Sequence, residues 1–134
     1  MTLQTHQNRI LKILQFKHFI YPTNALHREA GLLKVCDQYE LKNLQIMHQL
    51  VYRPETLPES IRNICQLSGL TRTRNLRDKL LFNRTKTSSK WGDRAFSNKG
   101  PLLWNRLPLS TKTIESQNSF RQTLKESKLQ EYSS

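Results

Sequence analysis

The sequence predicts a mainly α-helical protein made of a small N-terminal helical unit, a basic loop or irregular hairpin, a short helix that contains a tryptophan, and a C-terminal helix. Two observations lead to this expectation. Apolar residues recur at helical spacing near both ends of the chain, whereas the middle is crowded with Lys and Arg. Pro, Gly and Ser mark the boundaries between the parts. We therefore expect divisions at 1–70, 71–99 and 100–134.

The N-terminal unit is predicted to begin with a helix over residues 3–20. Leu3, Ile10 and Leu14 share one stripe of this helix, and Tyr21-Pro22 ends it. Basic side chains lie between the apolar positions. Contact with a phosphate backbone is one alternative, and packing against the next helix is the expected role.

A short helix is predicted to follow over residues 24–30. Thr23 is a suitable N-cap for it, and Gly31 is a suitable terminator. The two leucines at 32–33 are expected to form a buried connector.

The strongest helical pattern covers residues 34–52. Its apolar positions are expected to face a core rather than to perform chemistry; they include Cys36, Met47 and Tyr52. A further short helix over 58–66 is predicted to carry Ile61, Ile64 and Cys65 inward and to end at Ser68-Gly69.

Residues 71–99 carry the main functional signal. They contain nine Lys or Arg against two Asp, which is more than half of the formal net charge of +12. Such an excess is typical of a protein that binds a polyanion, most often a nucleic acid, because each cation releases counterions from phosphates. We expect RNA or DNA as the partner, the alternative being a solvated basic face. The candidate contacts are Arg72, Arg74, Arg77, Lys79, Arg84, Lys86, Lys90, Trp91, Arg94 and Lys99.

The local pattern of this stretch indicates a loop or irregular hairpin. Leu80-Leu81-Phe82 and nearby threonines suggest a short extended segment, and Ser88-Ser89 and Gly92-Asp93 suggest turns. Trp91 could stack on an unpaired base, which is worth about 1–3 kcal/mol. A tryptophan in a basic loop is more often anchored in a core, and that is the expectation here.

Residues 100–108 are predicted to form a hydrophobic plug. Gly100 lets the chain turn, Pro101 suits the first position of a one-turn helix, and Pro108 ends that helix. The large Trp104 is expected to fill a core, the alternative being an aromatic platform for a base or a partner. The structural residues of the plug are Gly100, Pro101, Trp104, Asn105, Leu107 and Pro108.

The remaining residues are predicted to form a polar linker over 109–115 and a helix over 116–130. Ser116 is a suitable N-cap for this helix, and Phe120 lies on its thin apolar stripe. The last few residues are expected to fray.

The sequence gives little support for catalysis, a cofactor or a metal site. It has four glycines and no glycine-rich phosphate loop, and Asp37, Asp78 and Asp93 are far apart. Cys36 and His48 could form a nucleophile and base only if the fold joined them. Two widely spaced cysteines, no signal peptide and no long apolar run indicate an intracellular protein, nuclear or cytoplasmic, without a membrane partner.

Several short elements, taken in order, resemble the extreme C-terminus of non-LTR (LINE-type, jockey-like) retrotransposon reverse transcriptases. The most specific is the plug, which is similar to a Gly-Pro…Trp-Asn…Leu-Pro element. One departure is Ser97-Asn98, where an aromatic or basic residue often precedes the Lys/Arg-Gly-Pro. The matching elements are Gln7-Asn8-Arg9-Ile10-Leu11-Lys12-Ile13-Leu14, Leu57-Pro58 with Ile61, Thr73-Arg74-Asn75, Gly92-Asp93-Arg94, Lys99-Gly100-Pro101-Leu102-Leu103-Trp104-Asn105-Arg106-Leu107-Pro108, Ser119-Phe120-Arg121 and Leu124-Lys125.

The resemblance implies a segment that lies after the palm and thumb of the polymerase. The Tyr-x-Asp-Asp element of the palm does not occur here, so no polymerase activity is expected from this chain alone and no catalytic residue carries over. The implied role is to hold template RNA or target DNA beside the polymerase domain, with no small-molecule substrate. Met1 would then be an internal methionine of a decayed or truncated element. A stand-alone basic adaptor, whose helical unit docks a protein, is the alternative.

Overall fold

The structure is a computed structural model that describes residues 2–65, 81–83 and 87–133. It confirms the mainly α-helical class, and these residues contain no β-strand. A 3₁₀ turn at Pro54–Thr56 follows the third helix. The helices are α1 (Leu3–Leu14), α2 (Thr23–Ala30), α3 (Val35–Tyr52), α4 (Glu59–Arg62), α5 (Lys90–Arg94), α6 (Phe96–Arg106), α7 (Leu109–Lys112) and α8 (Gln117–Glu131).

The chain divides into two compact units. The first comprises Met1–Leu41 with Arg121–Ser134, and the second comprises Lys42–Phe120. Helices α3 and α8 contribute residues to both. The predicted boundary at residue 70 lies outside the described residues, as does the predicted helix end at Ser68-Gly69, and both stay predictions.

In the first unit, α2 ends where the sequence predicts. Gly31 takes a left-handed φ of 63°, and the Leu32 N–H donates to the His27 carbonyl over 3.1 Å, which is the bond of a Schellman cap. The predicted N-cap is wrong by one residue: Pro22 occupies that position, and Thr23 is already helical. Leu33 is buried, but Leu32 is exposed, so only half of the predicted connector is buried.

Tyr132 is buried in the first unit, so the fraying predicted for the last few residues does not extend to it. Its hydroxyl donates to the Asp37 carboxylate and accepts from the Lys34 N–H over 3.1 Å. The Lys34 ammonium lies 4.7 Å from the centre of the Tyr132 ring. Burial, with the neighbouring carboxylate, raises the pKa of Tyr132. These contacts hold the end of the chain against the start of α3.

Helix α1 is shorter than predicted, because it ends at Leu14 rather than at residue 20. Phe16 adopts a left-handed φ of 51°, and the Lys17 N–H donates to the Lys12 carbonyl over 2.9 Å. This is again a Schellman cap, with phenylalanine at the position that glycine usually takes. Because this helix end contains no glycine or proline, the sequence gives no signal from which it could be predicted.

In the second unit, the predicted plug is part of a longer helix. Helix α6 runs over Phe96–Arg106, so Pro101 lies inside it and not at its start. Gly100 explains this tolerance, because the residue before a proline is kept from helical geometry partly by its Cβ, which glycine lacks. A Cβ on Gly100 would also lie only 2.9 Å from the Met47 Sδ. Leu107, which has a Cβ, is extended before Pro108, and the helix ends there as predicted.

Two stretches predicted to be irregular are helical. Within the predicted basic loop, residues 90–94 form α5 and residues 96–99 belong to α6; Ser89 is the N-cap of α5, and Gly92-Asp93 lies inside it. The predicted linker contains α7, whose N-cap is Pro108. A proline preceded by an extended residue can start a helix as well as end one.

The predictions of buried residues in α3 and in the predicted helix over 58–66 have mixed outcomes. Met47 and Cys65 are buried as predicted, and burial raises the pKa of the Cys65 thiol to about 11. Cys36 and Ile64 are exposed, so their assignment to a core is wrong. Helix α4 is only one turn long, and the chain has left helical geometry before it reaches Ile64.

Helix α8 agrees with its prediction to within one residue. Ser116 precedes it, and the Ser116 Oγ accepts from the Ser119 N–H over 3.4 Å. Phe120 is fully buried in the second unit.

Candidate nucleic-acid interface

Four of the ten predicted contacts lie in the described residues. Lys90, Trp91 and Arg94 are on α5, and Lys99 is on α6. The other six lie outside the described residues and stay predictions; they are Arg72, Arg74, Arg77, Lys79, Arg84 and Lys86.

Side-chain bonds to the residues before α5 define this short helix. The Ser89 Oγ accepts from the Gly92 N–H over 3.1 Å, as expected of an N-cap. The Thr87 hydroxyl donates to the Asp93 carboxylate. A Cβ on Gly92 would lie 3.0 Å from the Thr87 Cβ, so glycine lets these residues approach closely. The only acidic side chain of α5 is therefore held by a neutral donor.

Trp91 is exposed rather than anchored in a core. Its exposed fraction is 82%, and its neighbours Lys90 and Arg94 are exposed as well. The Arg94 guanidinium carbon lies 6.0 Å from the centre of the indole ring. The core assignment that the sequence favoured is wrong, and α5 presents an aromatic face beside cations.

Asn105, on helix α6, is hydrogen-bonded to Phe82, which lies within the basic stretch of residues 71–99. Its Nδ2 donates to the Phe82 carbonyl, and its Oδ1 accepts from the Phe82 N–H, both over 2.9 Å. The side-chain amide thus satisfies both main-chain groups of one residue, as a neighbouring strand would. Five of the candidate cations, at positions 84, 86, 90, 94 and 99, lie between these two residues in the sequence.

Trp104, next to Asn105, is the buried plug that the sequence predicts. It is fully buried and packs edge-to-face against Phe82, with ring centres 6.2 Å apart. Phe120 lies 5.8 Å from it in a tilted arrangement, and His48 lies 6.5 Å away. The second of its two predicted roles, an aromatic platform for a base, is excluded by this burial.

His48 belongs to the same aromatic cluster. It stacks on Phe120 at 4.5 Å, and its Nε2–H donates to the Ile114 carbonyl over 2.7 Å. Burial lowers the pKa of His48, although the bond to Ile114 opposes the shift. The ring is part of the packed aromatic cluster.

The described residues offer no metal centre. No group of three or more His, Cys, Asp or Glu side chains within residues 2–65, 81–83 and 87–133 is placed to hold an ion. Asp37, one of the acids considered for nuclease chemistry, accepts from the Tyr132 hydroxyl and lies 3.8 Å from the Lys128 ammonium. Asp78 lies outside the described residues.

Two features of the site could not be predicted from the sequence. Asn105 is predicted to be structural, but its partner, Phe82, lies 23 residues earlier and belongs to no motif that points to it. Asn98 is buried, and its Nδ2 donates to the Asp93 carbonyl over 3.3 Å, linking α6 to α5. Only its place next to the plug element singles out Asn98 in the sequence.

Among the helices that the structure describes, none has the length and apolar character needed to cross a membrane. No protein-family model matches the chain, and neither a curated protein nor a solved structure matches it. The chemistry of its own residues is therefore the basis for assigning a function.

Proposed function

We propose that this chain is a non-catalytic C-terminal segment of a LINE-type retrotransposon reverse transcriptase that binds template RNA or target DNA through the cations of residues 71–99. The observation that carries the proposal is the exposure of Trp91 between Lys90 and Arg94. An exposed indole ring with cations beside it offers a surface on which an unpaired base can stack.

The chemistry of α5 suits a single-stranded nucleic acid. Every base has a π-face that can stack on an indole ring, and cations beside the ring neutralise the adjoining phosphates. The charge of the whole chain, +12, favours association with any polyanion. Stacking adds a preference for unpaired bases over an acidic protein surface. Such a role implies an intracellular location, nuclear or cytoplasmic.

The anchor formed by Asn105 and Trp104 supports the same role. It holds Phe82 against α6, so both ends of the cation-containing segment between Phe82 and Asn105 are fixed. Ordering the cations before the ligand arrives lowers the entropy cost of binding. In this proposal the Trp-Asn pair of the plug element acts on binding indirectly, by fixing the basic stretch.

The test is fluorescence anisotropy of labelled single-stranded RNA and DNA at a series of salt concentrations. We expect the logarithm of the association constant to fall linearly with the logarithm of the salt concentration. Trp91→Ala should cost about 1–3 kcal/mol of binding free energy. Phe19→Ala is the matched control, since Phe19 is 86% exposed and lies in the other unit. A salt-independent affinity, or equal losses for both variants, would refute the proposal.

The polymerase assignment has a separate test. The genomic sequence upstream, read in the same frame, should encode a Tyr-x-Asp-Asp element followed by a thumb-like segment. A complete upstream reading frame without that element would contradict the family assignment and leave the binding proposal to the anisotropy experiment.

A stand-alone basic adaptor is the second candidate function. It is favoured by the apolar side chains that α1 exposes, among them Leu3, Ile10 and Ile13. In that case the helical unit docks a protein and the basic stretch is only solvated. One measurement separates the two candidates: absence of binding to single-stranded RNA and DNA at low salt would rule out the nucleic-acid role and favour the adaptor.

A further inference from the structure

Glutamine side chains on and just after helix α1 are hydrogen-bonded to main-chain groups elsewhere in the first unit. The Gln4 Oε1 accepts from the Val35 N–H over 2.8 Å, and the Gln7 Nε2 donates to the Leu33 carbonyl over 2.9 Å. Gln15, just after the helix, donates to the Leu26 carbonyl over 3.4 Å. These bonds fix the rotation of α1 about its axis.

The apolar side chains of α1 consequently face outward. Leu3, Ile10 and Ile13 have exposed fractions between 56% and 68%, and Leu14 beside them is equally open. Leu11 is the only fully buried residue of the helix. The first three, which we call the α1 seam, are seven and three residues apart, which is the spacing with which one helix packs along another.

The exposed apolar surface continues beyond the end of the helix. Phe16 is 96% exposed and has a left-handed φ of 51°, a conformation that glycine would adopt without strain. Phe19 and Ile20 are exposed as well. A strained and fully exposed phenylalanine lowers stability without adding to a core, and such residues cluster where a ligand or partner binds.

The charge of helix α1 itself is positive. The helix contains Arg9 and Lys12 and no Asp or Glu, and the one acid that follows nearby, Glu29, is paired with Lys17. A groove of about 400 Å³ lies on the flank of α1 that carries Arg9. It is lined by Thr5, Asn8, Arg9, Lys12 and Phe19. The partner therefore has to bring negative charge together with apolar side chains.

We propose that the α1 seam docks an acidic amphipathic α-helix of a protein partner. The apolar stripe of that helix covers the seam and Phe16, and its carboxylates lie along Arg9 and the groove. This inference does not depend on nucleic-acid binding and applies equally to a polymerase segment and to an adaptor.

Two other occupants fit the observations less well. A second copy would bring Arg9 and Lys12 of both chains to one symmetric contact, where like charges repel. A lipid surface is flat and would leave the groove empty.

The experiment titrates the full chain against a labelled synthetic helix with Leu at its a and d positions and Glu at its e and g positions. We expect saturable binding that weakens about tenfold or more in the double variant Ile10→Ser/Ile13→Ser. Ile64→Ser and Leu109→Ser are the matched controls, since both remove exposed aliphatic side chains from the other unit, and they should leave the affinity unchanged. Circular dichroism and single-stranded RNA binding should be unaltered in every variant.

Three further probes decide between the occupants. A Glu helix with Ser at its a and d positions, and a Leu helix with Lys at its e and g positions, should both bind at least about tenfold more weakly. Equal binding of the Ser helix would show mere attraction of opposite charges and overturn the proposal. Absence of binding to the Leu/Glu helix, binding to phosphatidylserine vesicles alone, or a dimer in sedimentation equilibrium that the double variant abolishes would also overturn it.

Discussion

The two tryptophans provide the sharpest test of how this chain is built. Trp104 is fully buried among three rings, whereas Trp91 is 82% exposed. Trp104→Ala should lower the free energy of unfolding by about 3–5 kcal/mol, since it leaves a cavity and removes the contacts with Phe82, Phe120 and His48. Trp91→Ala makes the same chemical change at the surface and should change the free energy of unfolding by no more than about 0.5 kcal/mol.

Urea unfolding followed by far-ultraviolet circular dichroism measures these changes. A loss of about 3–5 kcal/mol is a large part of the usual stability of a small protein, about 5–15 kcal/mol, so the shift in midpoint should be obvious. Binding of single-stranded RNA should show a different pattern: Trp91→Ala weakens it with stability intact, and Trp104→Ala weakens it through unfolding. Equal stability losses for the two variants, or a stable Trp104→Ala protein with weak binding, would refute the assignment of plug and platform.

Three other changes test separate parts of the structure. Asn105→Ala removes two hydrogen bonds and should cost about 1–3 kcal/mol in urea unfolding, whereas exposed Asn118→Ala should cost almost nothing. The pKa of His48 is lowered in the folded protein, so below pH 6.5, the ordinary pKa of histidine, the unfolded chain binds more protons than the folded one. The free energy of unfolding should therefore fall as the pH drops through 6.5, and His48→Gln should make this pH dependence weaker. Phe16→Gly should raise stability by about 1 kcal/mol while weakening the binding of an acidic helix, and a loss of stability would contradict the strain assigned to Phe16.

The helical class could be predicted from the sequence because it depends on periodicity and on strong end signals. Gly31 and Ser116 mark helix ends where the structure has them. Pro101 misled the prediction, since a proline normally opens or breaks a helix. The preceding glycine removes part of the steric conflict, and that effect depends on a pair of residues rather than on either one.

The orientation of α1 could not be predicted from the sequence. Its apolar stripe is what pattern analysis assigns to a core, yet the bonds of Gln4 and Gln7 turn that stripe toward solvent. Hydrogen bonds between a side chain and main-chain groups far away in the sequence leave no periodic pattern of residues from which they could be predicted. The same limit applies to Trp91: the sequence located it in the basic stretch, but whether a core was available to bury it depended on the short helix α5.

Asn105 and Trp104 together explain why a plug should lie next to a basic stretch. Cations that are close in sequence repel one another, and without a fixed point the chain would spread to reduce that repulsion. Burial of Trp104 supplies the fixed point, and the two bonds from Asn105 bring Phe82 to it. The free energy that orders the cations thus comes from packing in the second unit and not from the ligand. Affinity for a nucleic acid should therefore follow the stability of this anchor, even though neither anchoring residue has to contact the ligand.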